Sequence, residues 1–402
     1  MPTHIQIRKI FVTGLFFFFL SGVLCAGENR QESALSLPAD MKPFRKIRIL
    51  VARDKSEIQI SCAGPFEAWD DQGRSIFRGE KLSGVTVKPA LGGIRWWDKT
   101  VPGKFIVIQS AGSGVRVSRI GLFRDMVLIY RNEKGSLDLI NKAELEDYLK
   151  GVLPFEGNPK WSAESLKAQA VVSRTFALFK MLGRQSDEYD VSSGMNSQVY
   201  AGKRIENEKT TEAIEATKGQ VLTSNGKIFP AYFHSTCGGA TTAADLVWPV
   251  KPNPALGGVE CRFCENSPHY RWEAKVTAAE IKEKLAKHGM PVNEVLSIKT
   301  GKIDKTGRVH TLTIKSTWWE KNLDADAFRV WIDPMRLKSN LITRIGTGAG
   351  GVFVFRGRGW GHGVGLCQYG MKYLGELGYS YQEILGYYYP GAQVSKIQGF
   401  SE

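Results

Sequence analysis

The sequence lacks several features that would place it in common classes. Beyond the N-terminal thirty residues, no apolar run approaches the ~20 residues that a membrane-spanning helix needs. Lys and Arg are not concentrated in any run, so no dedicated nucleic-acid tract is present and no nucleic-acid partner is expected. Tandem repeats and low-complexity tracts are absent, which argues against solenoids and long disordered regions. No phosphate-loop lysine or dinucleotide fingerprint occurs. Cysteine is scarce: Cys25, Cys62, Cys237, Cys261, Cys264 and Cys367. Without Cys25 the number is odd, so the rest cannot all form internal disulfides.

What is present is an ordinary globular composition. The chain has 402 residues, 43% hydrophobic and 23% charged, enough for a sizeable core in one to three units. The 43 Gly and 10 Trp suit a loop- and strand-rich protein. The net charge of +14 falls to +12 without Arg8 and Lys9. That excess is either a solvated basic surface or a field for an anionic polymer or lipid. Arg8 and Lys9 precede an apolar run from Ile10 to Leu24, with Ala26 and Gly27 following. This pattern predicts a secretory signal over residues 1–26 and an exported protein in the periplasm or cell wall. Cys25 keeps lipidation open, and an uncleaved anchor is the other alternative.

Residues 27–45 are polar and aperiodic and read as a linker. From 46 to 141, short alternating runs such as KIRILVARD, KFIVIQS and MVLIYRN, punctuated by Gly, Pro, Asp and Asn, predict a β-rich region. The period then changes. Leu145, Leu149, Val152 and Leu153 have helical spacing, in a helix limited by Pro154 and followed by the loop PFEGNPKW. Ser162 is a good cap for a second helix, and Gly183 a plausible stop. Further helices are expected at Glu206–Lys218, Thr277–His288, Ala327–Leu337 and after the loop RGWGHGVG, and strands at GQVLTS, IFPAYFHST and HTLTIKST. The fold class is α+β, with a mixed α/β region from 142 to 398 built around the helix that follows the Glu156 loop.

Three constellations can carry chemistry. Glu156 sits among Leu153, Phe155 and Trp161, and a carboxyl in apolar surroundings resists ionisation and can serve as a proton donor. The bland alternative is a solvated loop Glu. Lys167 and Arg174, seven apart on the next helix, either face substrate or form a solvated basic stripe. Between His234 and His269, HSTCGG and VECRFCENSPHYRW offer His-x2-Cys, Cys-x2-Cys and Cys-x4-His spacings. These suit a zinc site on His234, Cys237, Cys261 and Cys264 with His269 in reserve, or a disulfide, or free thiols. In RGWGHGVGLCQYG, flexible glycines let His362 and Trp360 approach a ligand, unless His362 only braces a tight turn.

Taken together, LEDYLKGVLPFE, WSAESLKAQAVVSRTFAL, SQVYAG, ATKGQVLTSNG, AYFHSTCGGAT, SPHYRW, GWGHGVGLCQYG and ILGYYYPG resemble the stage II sporulation protein D (SpoIID/LytB) family, from roughly 46 to 398. The resemblance implies a lytic transglycosylase acting on peptidoglycan glycan stripped of stem peptides. It places the family's catalytic Glu at Glu156 and its helix Arg at Arg174. The older name, amidase enhancer, implies a regulatory role beside an N-acetylmuramoyl-L-alanine amidase. We accordingly expect Glu156, Arg174 and His362 in catalysis, and Lys167, Gln169, Gln198, Tyr200, Trp360, Gln368 and Tyr369 in glycan binding. Three departures stand out. Gly157, Asn158 and Pro159 replace the usual Met-Pro; Tyr189–Tyr200 has no Cys or His; and Cys367 replaces the commoner Ser.

Overall fold

The computed structural model describes residues 34–37 and 41–397, apart from positions 111, 186, 195 and 196. The expected signal, residues 1–26, lies outside the described residues. Among the described residues no helix is long and apolar enough to cross a membrane.

The alternating runs form two sheets. One has seven strands in the order 191–192, 46–55, 137–144, 126–131, 105–110, 66–70, 75–79. The other has six, in the order 121–123, 115–117, 58–62, 82–90, 93–96, 99–102. Alternation decides which residues face inward. In Phe105–Ser110, Ile106 and Ile108 are buried, and they stand opposite Ile129 and Val127 of the next strand. Ile60, Val85, Val87 and Val115 of the second sheet join the same core. The strand Leu137–Glu144 leads directly into the helix Leu145–Lys150, and Val191–Ser192 returns to pair in parallel with Lys46–Lys55. The strand-rich part and the helices therefore share a sheet, in an α+β architecture.

The helix after Ser162 spans Ala163–Gly183, and the Ser162 hydroxyl accepts the Ser165 N–H at 3.2 Å. Leu166, Ala170, Ala177 and Leu178 belong to the first core. Ala168, Val171 and Val172 belong to a second, with Leu222, Phe229, Val364, Leu366 and Met371. A helix apolar on all sides is one buried on all sides. A third core forms between the strands Arg271–Thr277 and Val352–Arg358 and the helices Ala278–Lys287 and Ala325–Ile332.

Two local expectations are corrected. The single helix ending at Pro154 is two short helices, Leu145–Lys150 and Leu153–Glu156. They part at Gly151, where a Cβ would press against the Tyr200 ring at 2.5 Å. Pro154 sits in the first turn of the second helix, where its missing N–H costs no bond. Glu156 thus ends a one-turn helix and does not lie in a loop. The expected strand IFPAYFHST is reduced to the short strands Lys227–Ile228 and Phe233–His234.

Arg174 was expected at the reaction centre; the structure places it inside the fold. Its side chain is fully buried. Nε and Nη2 each donate to Glu146 at 2.8 Å, Nη1 donates to the Gln220 carbonyl at 3.0 Å and Nη2 to that of Ile214 at 3.3 Å. A guanidinium so enclosed fixes the helix leading to Glu156 and has no face left for substrate. Losing one partner of a buried pair strands the other charge. Arg174→Met should therefore lower the unfolding free energy by about 3–5 kcal/mol in urea titration. Adding Glu146→Gln should recover part of that loss. Unchanged stability with abolished activity would instead return Arg174 to a catalytic role.

Candidate functional site

The Glu156 carboxyl is half-buried at the end of its helical turn, beside the exposed Phe155. One carboxylate oxygen accepts the Val199 N–H at 2.9 Å. The Glu156 backbone carbonyl accepts the Gln368 side-chain N–H at 2.7 Å. Burial raises the carboxyl above its ordinary range, and the bonds from Val199 and Gln368 offset this only in part. Among the described residues, no second carboxylate contributes to that shift. The group can therefore hold a proton where an exposed Glu has lost it.

Around it, the expected glycan-binding residues divide. Gln368 also donates to the Gln169 carbonyl oxygen at 3.4 Å, and Gln169 donates to Ser173 at 3.2 Å. Gln169 is completely buried, so it supports Gln368 from behind. Gln198 is equally buried. Its carbonyl oxygen accepts the Tyr148 hydroxyl at 3.0 Å, and its amide nitrogen has no partner among the described residues. Tyr200 is a core residue, its hydroxyl bonded to Asn141 at 2.6 Å and its ring 5.2 Å from that of Tyr148. Lys167 is committed to Glu164 at 2.7 Å and lies over the Tyr381 ring. Gln169, Gln198 and Tyr200 fail as surface contacts because the central helix and its neighbours enclose them, whereas Lys167 stays half-buried.

Trp360 and Tyr369 remain on the half-buried side. Tyr369 meets Trp161 edge-on at 6.0 Å and His269 at 5.9 Å, and His269 meets Trp360 at 4.4 Å. The Lys338 ammonium lies 5.3 Å from the Trp360 ring centre and 3.3 Å from His269 Nδ1. Aromatic faces with an adjacent cation suit a polar ring bearing an anionic substituent. Trp161 and Lys338 were not among the expected contacts. Trp161 carried a signal, its place four residues beyond the Glu156–Gly157 turn; Lys338 carried none.

His362 has its own set of contacts. Its ring packs near Trp248 at 5.0 Å, His234 at 5.4 Å and Tyr232 at 5.9 Å. Its Nδ1 accepts the Val364 N–H at 3.0 Å. Burial holds its pKa down to about 4, so the ring is neutral at pH 7. The glycines at positive φ turn the loop between Trp360 and His362. A Cβ at Gly361 would lie 2.8 Å from the His234 Cβ, and one at Gly363 would overlap the Arg308 guanidinium. The contacts of His362 thus brace the loop, and none of those described joins it directly to Glu156.

The cysteine cluster is a candidate metal centre, with one ligand changed. The sulfurs of Cys237, Cys261, Cys264 and Cys367 all lie within 4.8 Å of one another and are buried. None is in a disulfide. Tetrahedral Zn–S bonds of ~2.3 Å would put sulfurs ~3.8 Å apart, which this grouping allows. His234 is not a member. Parallel pairing of Phe233–His234 with Leu366–Cys367 sets His234 opposite Cys367, and its Nδ1 bonds the Val364 carbonyl at 3.1 Å. His269 is held with Trp360 and Lys338 instead. The odd fifth thiol is Cys62, buried in the first core.

The surroundings fit a charged centre. The Cys237 N–H donates to the Cys367 sulfur at 3.2 Å, and the Tyr388 hydroxyl lies 3.2 Å from Cys261. A Cβ at Gly370 would lie 3.0 Å from the Cys261 sulfur and overlap the Tyr388 hydroxyl. Arg308, only 3% exposed, donates to the Cys237 carbonyl at 2.8 Å, while its Nε and Nη1 have no partner among the described residues. A divalent ion with four thiolates carries about two negative charges, and a buried guanidinium beside it supplies compensation that four neutral thiols would not need.

Residues 133–224 match the family model described as stage II sporulation protein, and residues 262–365 match a domain of unknown function. An uncharacterized protein of Brachyspira hyodysenteriae (strain ATCC 49526 / WA1) is 30% identical over 87% of this chain and 92% of its own length. Stage II sporulation protein D of Bacillus subtilis (strain 168) is 28% identical over 68% of this chain and 79% of its own. The amidase enhancer of the same strain is 28% identical over 61% of this chain and 40% of its own length. The first matched stretch contains Glu156, the central helix and the Gln198–Tyr200 segment, and with these relatives it establishes that the chain belongs to the stage II sporulation protein D (SpoIID/LytB) family.

Proposed function

We propose that this protein works on the bacterial cell wall as a lytic transglycosylase that cleaves peptidoglycan glycan strands, preferring those stripped of stem peptides. The observation that carries this reading is the half-buried Glu156, shifted toward its protonated form with no second carboxylate acting on it. Glu156 gives its proton to the glycosidic oxygen beyond an N-acetylmuramic acid unit, and the C1–O bond breaks. The primary hydroxyl of the same sugar bonds to C1 and returns its proton to Glu156. The product has an anhydro-muramic end, and no carboxylate nucleophile is required, unlike two-carboxylate glycosidases. Tyr369 and Trp360 supply faces along which the strand lies, with Trp161 and Lys338 beside them. Export by the N-terminal segment, residues 1–26, would bring the enzyme to this substrate.

A second reading is that the protein binds wall glycan and stimulates an N-acetylmuramoyl-L-alanine amidase. The name of the amidase enhancer relative and the departure at Gly157–Pro159 favour it. We further propose that the ion on Cys237, Cys261, Cys264 and Cys367 is zinc, bound without an open position and hence structural.

Mass spectrometry of products from denuded glycan strands should show anhydro ends with the natural protein. Glu156→Gln should reduce their formation by roughly 10²–10⁴-fold. Persistence at the natural rate would remove Glu156 as the acid, and amidase stimulation without glycan turnover would favour the second reading. Turnover should fall as pH rises through the raised carboxyl range. Folding prefers the protonated carboxyl, so its stabilising contribution is complete at low pH and lost as pH rises through the folded-state pKa. Glu156→Gln should therefore raise the thermal midpoint more at pH 7 than at pH 4. Elemental analysis should find one zinc per chain. Cys367→Ser should lose it and His234→Gln should keep it; the reverse pattern would restore the His234 ligand set.

A further inference from the structure

The turn that carries Glu156 cannot hold its own shape. Leu153–Glu156 is four residues long, and helices so short gain too few hydrogen bonds to be stable alone. The carbonyls at its end have no helical partner. The one at Glu156 is satisfied from outside, by the Gln368 side chain at 2.7 Å. The same amide nitrogen reaches Gln169 at 3.4 Å, so Gln368 links the Glu156 turn to the central helix.

Gln368 in turn is the first residue of the helix Gln368–Glu376, whose N-cap is Cys367. The Cys367 side chain makes no capping bond, because it points into the cysteine cluster. The junction is also tied through its backbone, by the parallel pairing of Leu366–Cys367 with Phe233–His234. Leu366 donates to the Tyr232 carbonyl at 3.0 Å, and Tyr369 to that of Ser235 at 3.1 Å. Further along, the Ser165 hydroxyl holds the Met371 carbonyl at 3.2 Å. The sulfur of Cys367 therefore joins these ties in fixing the start of the helix, at the residue immediately before Gln368. The other three sulfurs come from the segment after Phe233–His234 and from the Cys261–Cys264 turn. A metal ion on all four would join these segments to the residue that precedes Gln368.

We propose that the four-cysteine centre acts as a clamp on the Glu156 turn, with Gln368 as the positioning residue that transmits it. This rests on the zinc reading and is independent of whether Glu156 performs catalysis. It assigns the centre a task at a distance: holding one amide where it can complete a helical turn to which it is not joined in sequence.

Hydrogen–deuterium exchange of the full-length chain tests it, comparing zinc-loaded protein, the same protein stripped by chelator with reductant, and zinc-loaded Gln368→Ala. Stripping should raise exchange about tenfold over residues 153–161 and at Val199, as well as over 235–264. Gln368→Ala should keep one zinc per chain and leave 235–264 protected, yet open 153–161 and Val199 to a similar degree. If stripping opens 235–264 alone, the clamp is overturned while the zinc reading stands. If the chain takes up no zinc on isolation or reconstitution, both are overturned. Should the stripped chain unfold throughout, Gln368→Ala decides, and unchanged exchange over 153–161 overturns the clamp.

Discussion

The burial of the helix Ala163–Gly183 on two opposite faces is the constraint on which the rest of the structure depends. Leu166 and Ala170 close the core under the two sheets, and Val171 and Val172 close the core around the cysteines. A helix in that position cannot rotate without exposing one core or the other. It carries polar groups inward as well, and each needs a partner. Arg174 finds Glu146, and Gln169 finds Ser173 and Gln368. The helix thus sets the position of the segment before it, which ends at Glu156, and of the segment that crosses it, which begins at Gln368.

The Glu156 pocket follows from that arrangement. Its carboxyl has one backbone donor, Val199, and neighbours that exclude water, so the neutral form gains relative to an exposed Glu. A carboxyl held by several N–H groups or by an arginine would be pulled the other way. Arg174 is held instead by Glu146 and two backbone carbonyls.

The cysteine centre shows how a local departure extends through a fold. Cys367 joins a site whose other members are separated from it by more than a hundred residues of sequence, and Arg308 is placed where a negative centre would need it. The glycines around it are required by close packing. A side chain at Gly370 would meet the Cys261 sulfur and the Tyr388 hydroxyl, and one at Gly363 would meet Arg308. His362, between two such glycines, belongs to this packing and to the rings of Trp248 and His234.

Short-range physics was legible in the sequence. Alternation located the strands from Lys46 to Glu144, Ser162 marked the start of the central helix, and Thr277 capped another by accepting the Glu280 N–H at 3.1 Å. The motifs carried the family, and apolar neighbours were enough to suggest that Glu156 resists ionisation. Long-range placement was not legible. Spacing of seven set Lys167 and Arg174 on one helical face but could not reveal that neighbouring elements bury Arg174 completely. Close sequence spacing suggested His234 as a metal ligand, whereas strand pairing chose Cys367. Residue type and local period are properties of a chain segment; whether Tyr200 or His362 meets solvent, a ligand or the core depends on which distant segments cover it, and only the tertiary structure decides that.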